Sequence, residues 1–383
     1  MKSEIILSQG DNAMNDVKIS VIPERDTIID ALRGLGIILV VMAHVSAGFA
    51  YSNLSSGSIA FIGDYIDGFH MPLFFIISGY AHGMKERFSS GESVWPYIKK
   101  SAIDLYIPGI YFSLLYWLPK YILVSIPAFA TENFRTVSLN DFLRIPLYGF
   151  NLYWFLLTMF FVKVLHMIFE RYVKRESVHL LFWLLMYSVA IIFFMRDELN
   201  SKLRDIAEFL VRDEEYFFSV FYTGIYFHIG FMMKRRSFIP QRLSRGIILL
   251  LAGTGFFVAS HFYEFRNIFT RTGSSVCLSL ALFIIFYALN INYRFLVLCG
   301  LNSMVIYCLH NHIVAMCRVI FRLTGLSSTA STIILFAICA FCAVLIPLII
   351  VWLYKNVKSL HWIEYIFYPG RYRRYKRENS PLR

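Results

Sequence analysis

The apolar positions of this 383-residue chain fall in long blocks rather than at amphipathic spacing. Ten such blocks can be read, near 31–50, 69–84, 103–126, 150–169, 178–195, 216–233, 246–263, 274–290, 295–317 and 331–354. A helix needs about 20 mostly apolar residues to cross the hydrocarbon core of a bilayer. The second block is short, and the fourth, sixth and ninth contain polar residues. The expected fold class is all-α: a polytopic integral membrane protein of about ten transmembrane helices in one bundle. The segments 51–68, 127–149 and 196–215 are read as loops on one side, none large enough for a separate domain. The chain then divides into a polar cytoplasmic N-terminal segment (1–27), a multi-span membrane domain (28–355) and a basic cytoplasmic tail (356–383). No internal repeat, low-complexity tract or Gly-rich phosphate loop appears in the sequence.

Composition narrows the class further. Charged residues make up 16% of the chain, against roughly a quarter in soluble domains, and the mean hydropathy is +0.58. The formal net charge of +12 raises the question of nucleic acid, but the basic residues sit in short clusters between apolar blocks and form no continuous face. Such clusters follow the positive-inside rule and can meet anionic lipid headgroups. With a cytoplasmic N-terminus, the inner segments hold 26 of the 37 Lys and Arg residues, including Lys234-Arg235-Arg236 and the run Arg371–Arg377. An even number of spans puts both termini in the cytoplasm. No cleavable signal peptide is expected, so the first span directs insertion. The six cysteines lie in or beside spans, without CxxC or disulfide-framework spacing, and read as small buried residues.

Ionisable groups inside a span are costly and face the bundle interior or a water-filled cavity, so function is sought among them first. In the first span Arg33 and His44 are eleven residues apart, three turns plus about 20°, which puts them on one helix face. Their axial separation is about 16 Å: a cation at the cytosolic mouth, and a titratable imidazole near mid-membrane. The second span opens Asp67-Gly68-Phe69-His70-Met71-Pro72 and returns inward, so His70 enters from the outer side and approaches His44. Pro72 lies in the first turn, where its missing N–H is tolerated, and Ser78-Gly79 is a small pair that permits close helix packing. Trp154, at the start of the fourth span, reads as interfacial belt. Asn302, Tyr307 and His310 in the ninth span do not share one narrow stripe and form a polar patch. His228 and His261, taken singly, read as structural. Nothing has metal-ligand spacing, so no metal is expected.

The stretch from Asp30 to His44, with Arg33 and His44 separated by ten residues, resembles the opening of the membrane acyltransferase-3 family. The run Phe69-His70-Met71-Pro72-Leu73-Phe74-Phe75-Ile76-Ile77-Ser78-Gly79-Tyr80 resembles that family's second-span signature, in the form found in its fucose 4-O-acetylase-like branch of polysaccharide O-acetyltransferases. Trp154-Phe155-Leu156 and the run from Asn302-Ser303 to Tyr307 and His310 are similar to later family features. These matches cover about 50 residues, mostly in the first quarter of the chain. One departure stands out. Where relatives often carry several arginines before a Leu-(Ile)-Pro motif, this chain has Lys99-Lys100-Ser101-Ala102-Ile103-Asp104-Leu105-Tyr106-Ile107-Pro108, and lysines do not supply bidentate forks.

The resemblance implies transfer of an acyl group, usually acetyl from cytoplasmic acetyl-CoA, to a hydroxyl of a cell-surface or lipid-linked polysaccharide at a bacterial inner membrane. On that reading Arg33, Lys99 and Lys100 hold the anionic donor. His44 is general base or transient acyl carrier, since imidazole titrates near neutrality and is nucleophilic when neutral. His70, positioned by Asp67, handles the acceptor's proton, and Trp154, Asn302, Tyr307 and His310 join Asp67 in binding the acceptor. Expected partners are the lipid bilayer, acyl-CoA and the glycan, with no nucleic acid; no feature indicates an oligomeric state. The chief rival is a transporter or flippase of glycan precursors without covalent chemistry, for which repeats and matching broken helices are the usual signs. A non-catalytic membrane partner with packing histidines is the third reading.

Overall fold

The computed structural model describes residues 26–50, 57–84, 93–124, 139–150, 153–194, 215–237, 242–262, 268–324 and 329–371. The N-terminal segment before residue 26, most of the acidic segment 196–215 and the basic residues beyond Arg371 lie outside the described residues. The helices are α1 (Thr27–Ala50), α2 (Gly57–Asp67), α3 (His70–Gly83), α4 (Trp95–Ser101), α5 (Ile107–Val124), α6 (Leu139–Tyr148), α7 (Trp154–Tyr172), α8 (Glu176–Phe194), α9 (Glu215–Arg235), α10 (Leu243–Phe262), α11 (Ile268–Ala288), α12 (Arg294–Leu301), α13 (Ser303–Thr324), α14 (Thr329–Asn356) and α15 (Trp362–Phe367). No strand occurs among the described residues. Seven spans are long and apolar enough to cross a membrane: α1, the α2–α3 pair, α8, α10, α11, α13 and α14. Helices α5, α7 and α9 occupy the third, fourth and sixth expected spans. The chain is an all-α polytopic membrane protein.

Helix α1 is the hub, lying against α2, α3, α11, α12, α13 and α14. Glycines permit the closest crossings. A Cβ on Gly34 would stand 1.9 Å from the Leu296 carbonyl oxygen of α12, and one on Gly300 would stand 1.8 Å from that of Asp30. Helices α3 and α9 cross the same way: a Cβ on Gly79 would meet the Phe227 oxygen at 1.8 Å, and one on Gly230 the Ile76 oxygen at 1.9 Å. Backbone contact of this kind is how helices associate where lipid removes the hydrophobic drive, and it is the role that Ser78-Gly79 signals. The outward faces of α8, α10 and α14 expose Leu181, Leu251 and Trp352, as helices solvated by lipid do.

The structure departs from the sequence reading in three places. Residues 57–67, expected in an outer loop, form α2, and the turn at Gly68-Phe69 links it to α3. The Gly68 carbonyl accepts the Ser275 hydroxyl of α11, which satisfies the broken backbone. The ninth block is two helices, α12 and α13, interrupted at Asn302 (φ −113°, ψ 17°). The Asn302 amide side chain takes the Leu298 carbonyl at 2.8 Å, competing with the helical pattern as Asn side chains do. The segment after residue 356 begins as a packed part of the domain: Phe367 is buried and stacks on Phe112 of α5 at 5.4 Å, and the Tyr368 hydroxyl reaches the Leu301 carbonyl at 3.5 Å. Between α4 and α5 the chain forms a π-helical turn at Ala102–Tyr106. Pro108 follows directly; its missing N–H and its ring disfavour the ordinary helical bond to residue 104, and a widened turn accommodates both.

Candidate active site

The first-span pair sits where the hub helix meets α13. Near the start of α1, the Arg33 guanidinium donates to the Asp30 carboxylate at 3.2 Å; Asp30 is almost fully buried, and Arg33 keeps 27% of its side chain exposed. Further along α1, His44 is half-buried between the buried Ala43 and Val45. Its ring stacks on His310 of α13, with centroids 5.1 Å apart and planes 16° from parallel. No protein hydrogen bond reaches the His44 ring among the described residues.

His310 is held from one side only. Its Nδ1 donates to the carbonyls of Tyr307 (2.8 Å) and Ile306 (3.1 Å), which fixes the proton on Nδ1. Its Nε2 is buried and has no hydrogen-bond partner in the protein. An unprotonated, unpartnered nitrogen therefore lies beside His44. An aromatic wall surrounds the pair. Tyr307 packs on His310 at 5.9 Å and on Phe155 of α7 at 5.6 Å, and Phe155 packs on Phe74 and Phe75 of α3. The Tyr153 hydroxyl donates to the Cys308 carbonyl at 2.9 Å and so ties the start of α7 to α13.

His70 is buried at the head of α3, a helix that packs against α1. Its Nδ1 donates to the Ile66 carbonyl at 3.0 Å, whereas the nearest Asp67 oxygen stands 3.9 Å away. The backbone, more than the carboxylate, orients this ring. Asp67 is exposed and faces Arg271 at 3.7 Å. Asn302 is buried at the α12–α13 break, and Trp154 is half-buried beside Phe155 at 6.5 Å. Lys99 and Lys100 are exposed on α4, which packs against α7.

The structure thus joins His44, His310 and Tyr307 in one centre, and Arg33 lies about three turns toward the N-terminus of the same helix. The lysines stand on another helix. Sequence reasoning missed Tyr153 and Phe155 as wall residues, and Arg318, whose Nη1 approaches the Gly48 carbonyl at 3.5 Å one turn beyond His44. Arg318 sits on α13 two turns past His310, a spacing that could have flagged it. Clusters with metal-ligand geometry exist among the described residues, and none contains His44, His70 or His310. What the centre offers chemically is imidazole nitrogen without a protein partner, competent as base or nucleophile.

The family model described as acyltransferase domain matches residues 26–352, and the chain belongs to this acyltransferase-3 family. It is similar to nodulation protein NolL of Sinorhizobium fredii (strain NBRC 101917 / NGR234), with 35% identity over 133 residues, 34% of this chain and 33% of NolL. The alignment spans about a third of that protein's length. No solved structure matches the chain.

Proposed function

We propose that the protein moves an acetyl group from cytoplasmic acetyl-CoA to a hydroxyl of a cell-surface or lipid-linked polysaccharide, with His44 at the centre of the transfer. The observation that carries this reading is the His44 ring, which makes no hydrogen bond among the described residues and stacks on His310, whose buried Nε2 has no partner. As general base, His44 takes the proton of the acceptor hydroxyl while its oxygen attacks the thioester carbonyl. The C–O bond forms, the C–S bond breaks, and CoA leaves as thiolate and collects that proton. As acyl carrier, His44 attacks the thioester itself, releases CoA, and passes the acetyl group from an acyl-imidazole to the hydroxyl.

Arg33 supplies the fixed cation for the donor's phosphates toward the inner end of α1, with Lys99 and Lys100 adding charge from α4. On the carrier route His70 takes the acceptor's proton from the outer side. His310 Nε2 accepts a second hydroxyl of the sugar, and Tyr307, Trp154, Asn302 and Asp67 shape the acceptor site. The location is a bacterial inner membrane with both termini cytoplasmic, supported by the Lys and Arg bias and by the packing of Tyr368 on the end of α12.

The test uses membranes from cells lacking the gene, complemented with it, and given acetyl-labelled CoA on the cytoplasmic face. Label entering the glycan fraction only in complemented membranes supports the proposal. Label entering neither fraction when a demonstrated acceptor pool is present contradicts it. Brief denaturation and hydroxylamine treatment then separate the two routes, since only the carrier route leaves hydroxylamine-labile acetyl on the protein.

A further inference from the structure

A second histidine cluster lies away from the His44 centre, at the opposite end of α3. Four helices contribute to it: α3 brings His82, α7 brings His166 and Glu170, α8 brings His179, and α9 brings His228 and Arg235. All four imidazoles are buried. His166, His179 and His228 each offer one ligand nitrogen, and these atoms all lie within 4.8 Å of one another. We propose that His166, His179 and His228 bind a single zinc ion that ties together α7, α8 and α9.

The geometry of the closest pair carries the idea. His166 Nε2 stands 3.3 Å from His228 Nδ1. Zinc–nitrogen bonds of about 2.0–2.1 Å in a tetrahedron put neighbouring ligand atoms about 3.3–3.4 Å apart. The third ring is prepared for the same job. His179 Nε2 donates to the carbonyls of Phe169 (3.1 Å) and Val173 (2.9 Å) at the end of α7, which leaves Nδ1 as its unprotonated nitrogen. Metal-ligating histidines are commonly fixed in this way, by donating the far N–H to a backbone carbonyl.

Without a metal, the cluster is poorly satisfied. His166 and His228 can share one proton between their facing nitrogens. His166 Nδ1 and His228 Nε2 are buried with no hydrogen-bond partner in the protein. The facing nitrogens of His166 and His228 and the ring of His179 converge in a site walled by Trp183, Phe227 and Phe231, and a bound cation can take the place of the shared proton. Imidazole ligands suit zinc, copper, iron and nickel; the 3.3 Å separation fits a tetrahedral edge, which favours zinc over Cu(II) and Ni(II), whose nitrogen sites are square-planar or tetragonal. Three protein ligands leave a fourth position. Glu170, which accepts from His82 at 3.1 Å and from Arg235, supplies the neighbouring negative charge. The signal was not legible in the sequence, since the ligands come from three helices. Alone, His228 reads as packing. This inference does not depend on the acetyl-transfer reading.

The test uses the full-length protein in detergent, purified without a polyhistidine tag. Elemental analysis after washing should find about one zinc per chain. Chelation should lower the melting temperature, and zinc should restore it, because a ligand bound only by the folded state stabilises that state. Cobalt exchanged into the site should show the visible absorption of four-coordinate nitrogen ligation. His228→Gln should lose the metal, and His261→Gln should keep it. Wild-type protein that holds no metal after exposure to zinc overturns the proposal, as does metal retained in full by His228→Gln. If His228→Gln does not fold, the wild-type cobalt spectrum decides: a spectrum of six-coordinate aqueous cobalt overturns the proposal.

Discussion

His44 and His310 face each other as nearly parallel rings, 5.1 Å apart, on helices α1 and α13. Parallel rings at that distance cannot hydrogen-bond edge to edge, so neither consumes the other's nitrogens. His310 spends its Nδ1 proton on two carbonyls of its own helix. His44 makes no hydrogen bond among the described residues, so its ring edge is open for the substrate that the proposed transfer requires.

The two members of the stack have separable roles. His310→Phe preserves a flat ring against His44 and removes the acceptor nitrogen. Transfer should fall about tenfold, the worth of one hydrogen bond, with the melting temperature near that of wild type. His310→Ala removes the ring as well and should lower both transfer and melting temperature. Equal transfer by His310→Phe and wild type would take the nitrogen out of substrate binding.

Arg33 is expected to act on donor affinity. Arg33→Gln should raise the KM for acetyl-CoA with a smaller change in kcat, and Arg33→Lys should recover only part of the loss, because an ammonium lacks the bidentate fork. The pairing with Asp30 sets the comparison: removing Arg33 takes one partner from a buried carboxylate, so folded protein is quantified for each variant before rates are compared. A kcat loss with unchanged KM would contradict a donor-binding role.

Asp67 should prove less important than its place in the motif implies. Its carboxylate stands 3.9 Å from His70, and the Ile66 carbonyl already holds the ring at 3.0 Å. Asp67→Asn should change transfer by less than about threefold, within the range of an exposed ion pair. A loss of two orders of magnitude would show that the carboxylate is needed.

The glycine crossing of α3 on α9 should tolerate no side chain. Gly79→Ala places a Cβ where the Phe227 carbonyl oxygen stands 1.8 Å away. Overpacking of that kind costs about 1–3 kcal/mol or more, read as a lower melting temperature in detergent. Gly57→Ala is the control, since its Cβ would meet nothing within 4 Å. Equal melting temperatures would contradict the close approach.

Much of the centre was legible in the sequence, because helical periodicity alone puts Arg33 and His44 on one face of an apolar span. His310 appeared only as part of a polar patch: nothing in the spacing of Asn302, Tyr307 and His310 says which of them faces α1. The break at Asn302 was hidden inside an apolar block, where the competition of one amide side chain for the Leu298 carbonyl decides the backbone. Helix α2 was read as loop because Gly57, Gly63, Asp64 and Asp67 dilute its apolar pattern, yet Ile59 and Ile66 are buried and Ser46 of α1 donates to the Ile59 carbonyl at 2.9 Å. The buried histidines of α7, α8 and α9 meet only through tertiary packing, which single-helix periodicity does not report.

The central claim is that acyl transfer runs through His44, and the most direct measurement compares wild-type protein with His44→Ala in membranes at matched, folded levels. Both receive acetyl-labelled CoA, and label is followed into the glycan fraction. The account predicts that His44→Ala loses transfer by about 10²- to 10⁴-fold, the usual contribution of a positioned base, while the protein remains folded. Equal labelling by the two proteins would contradict it and remove His44 from the mechanism.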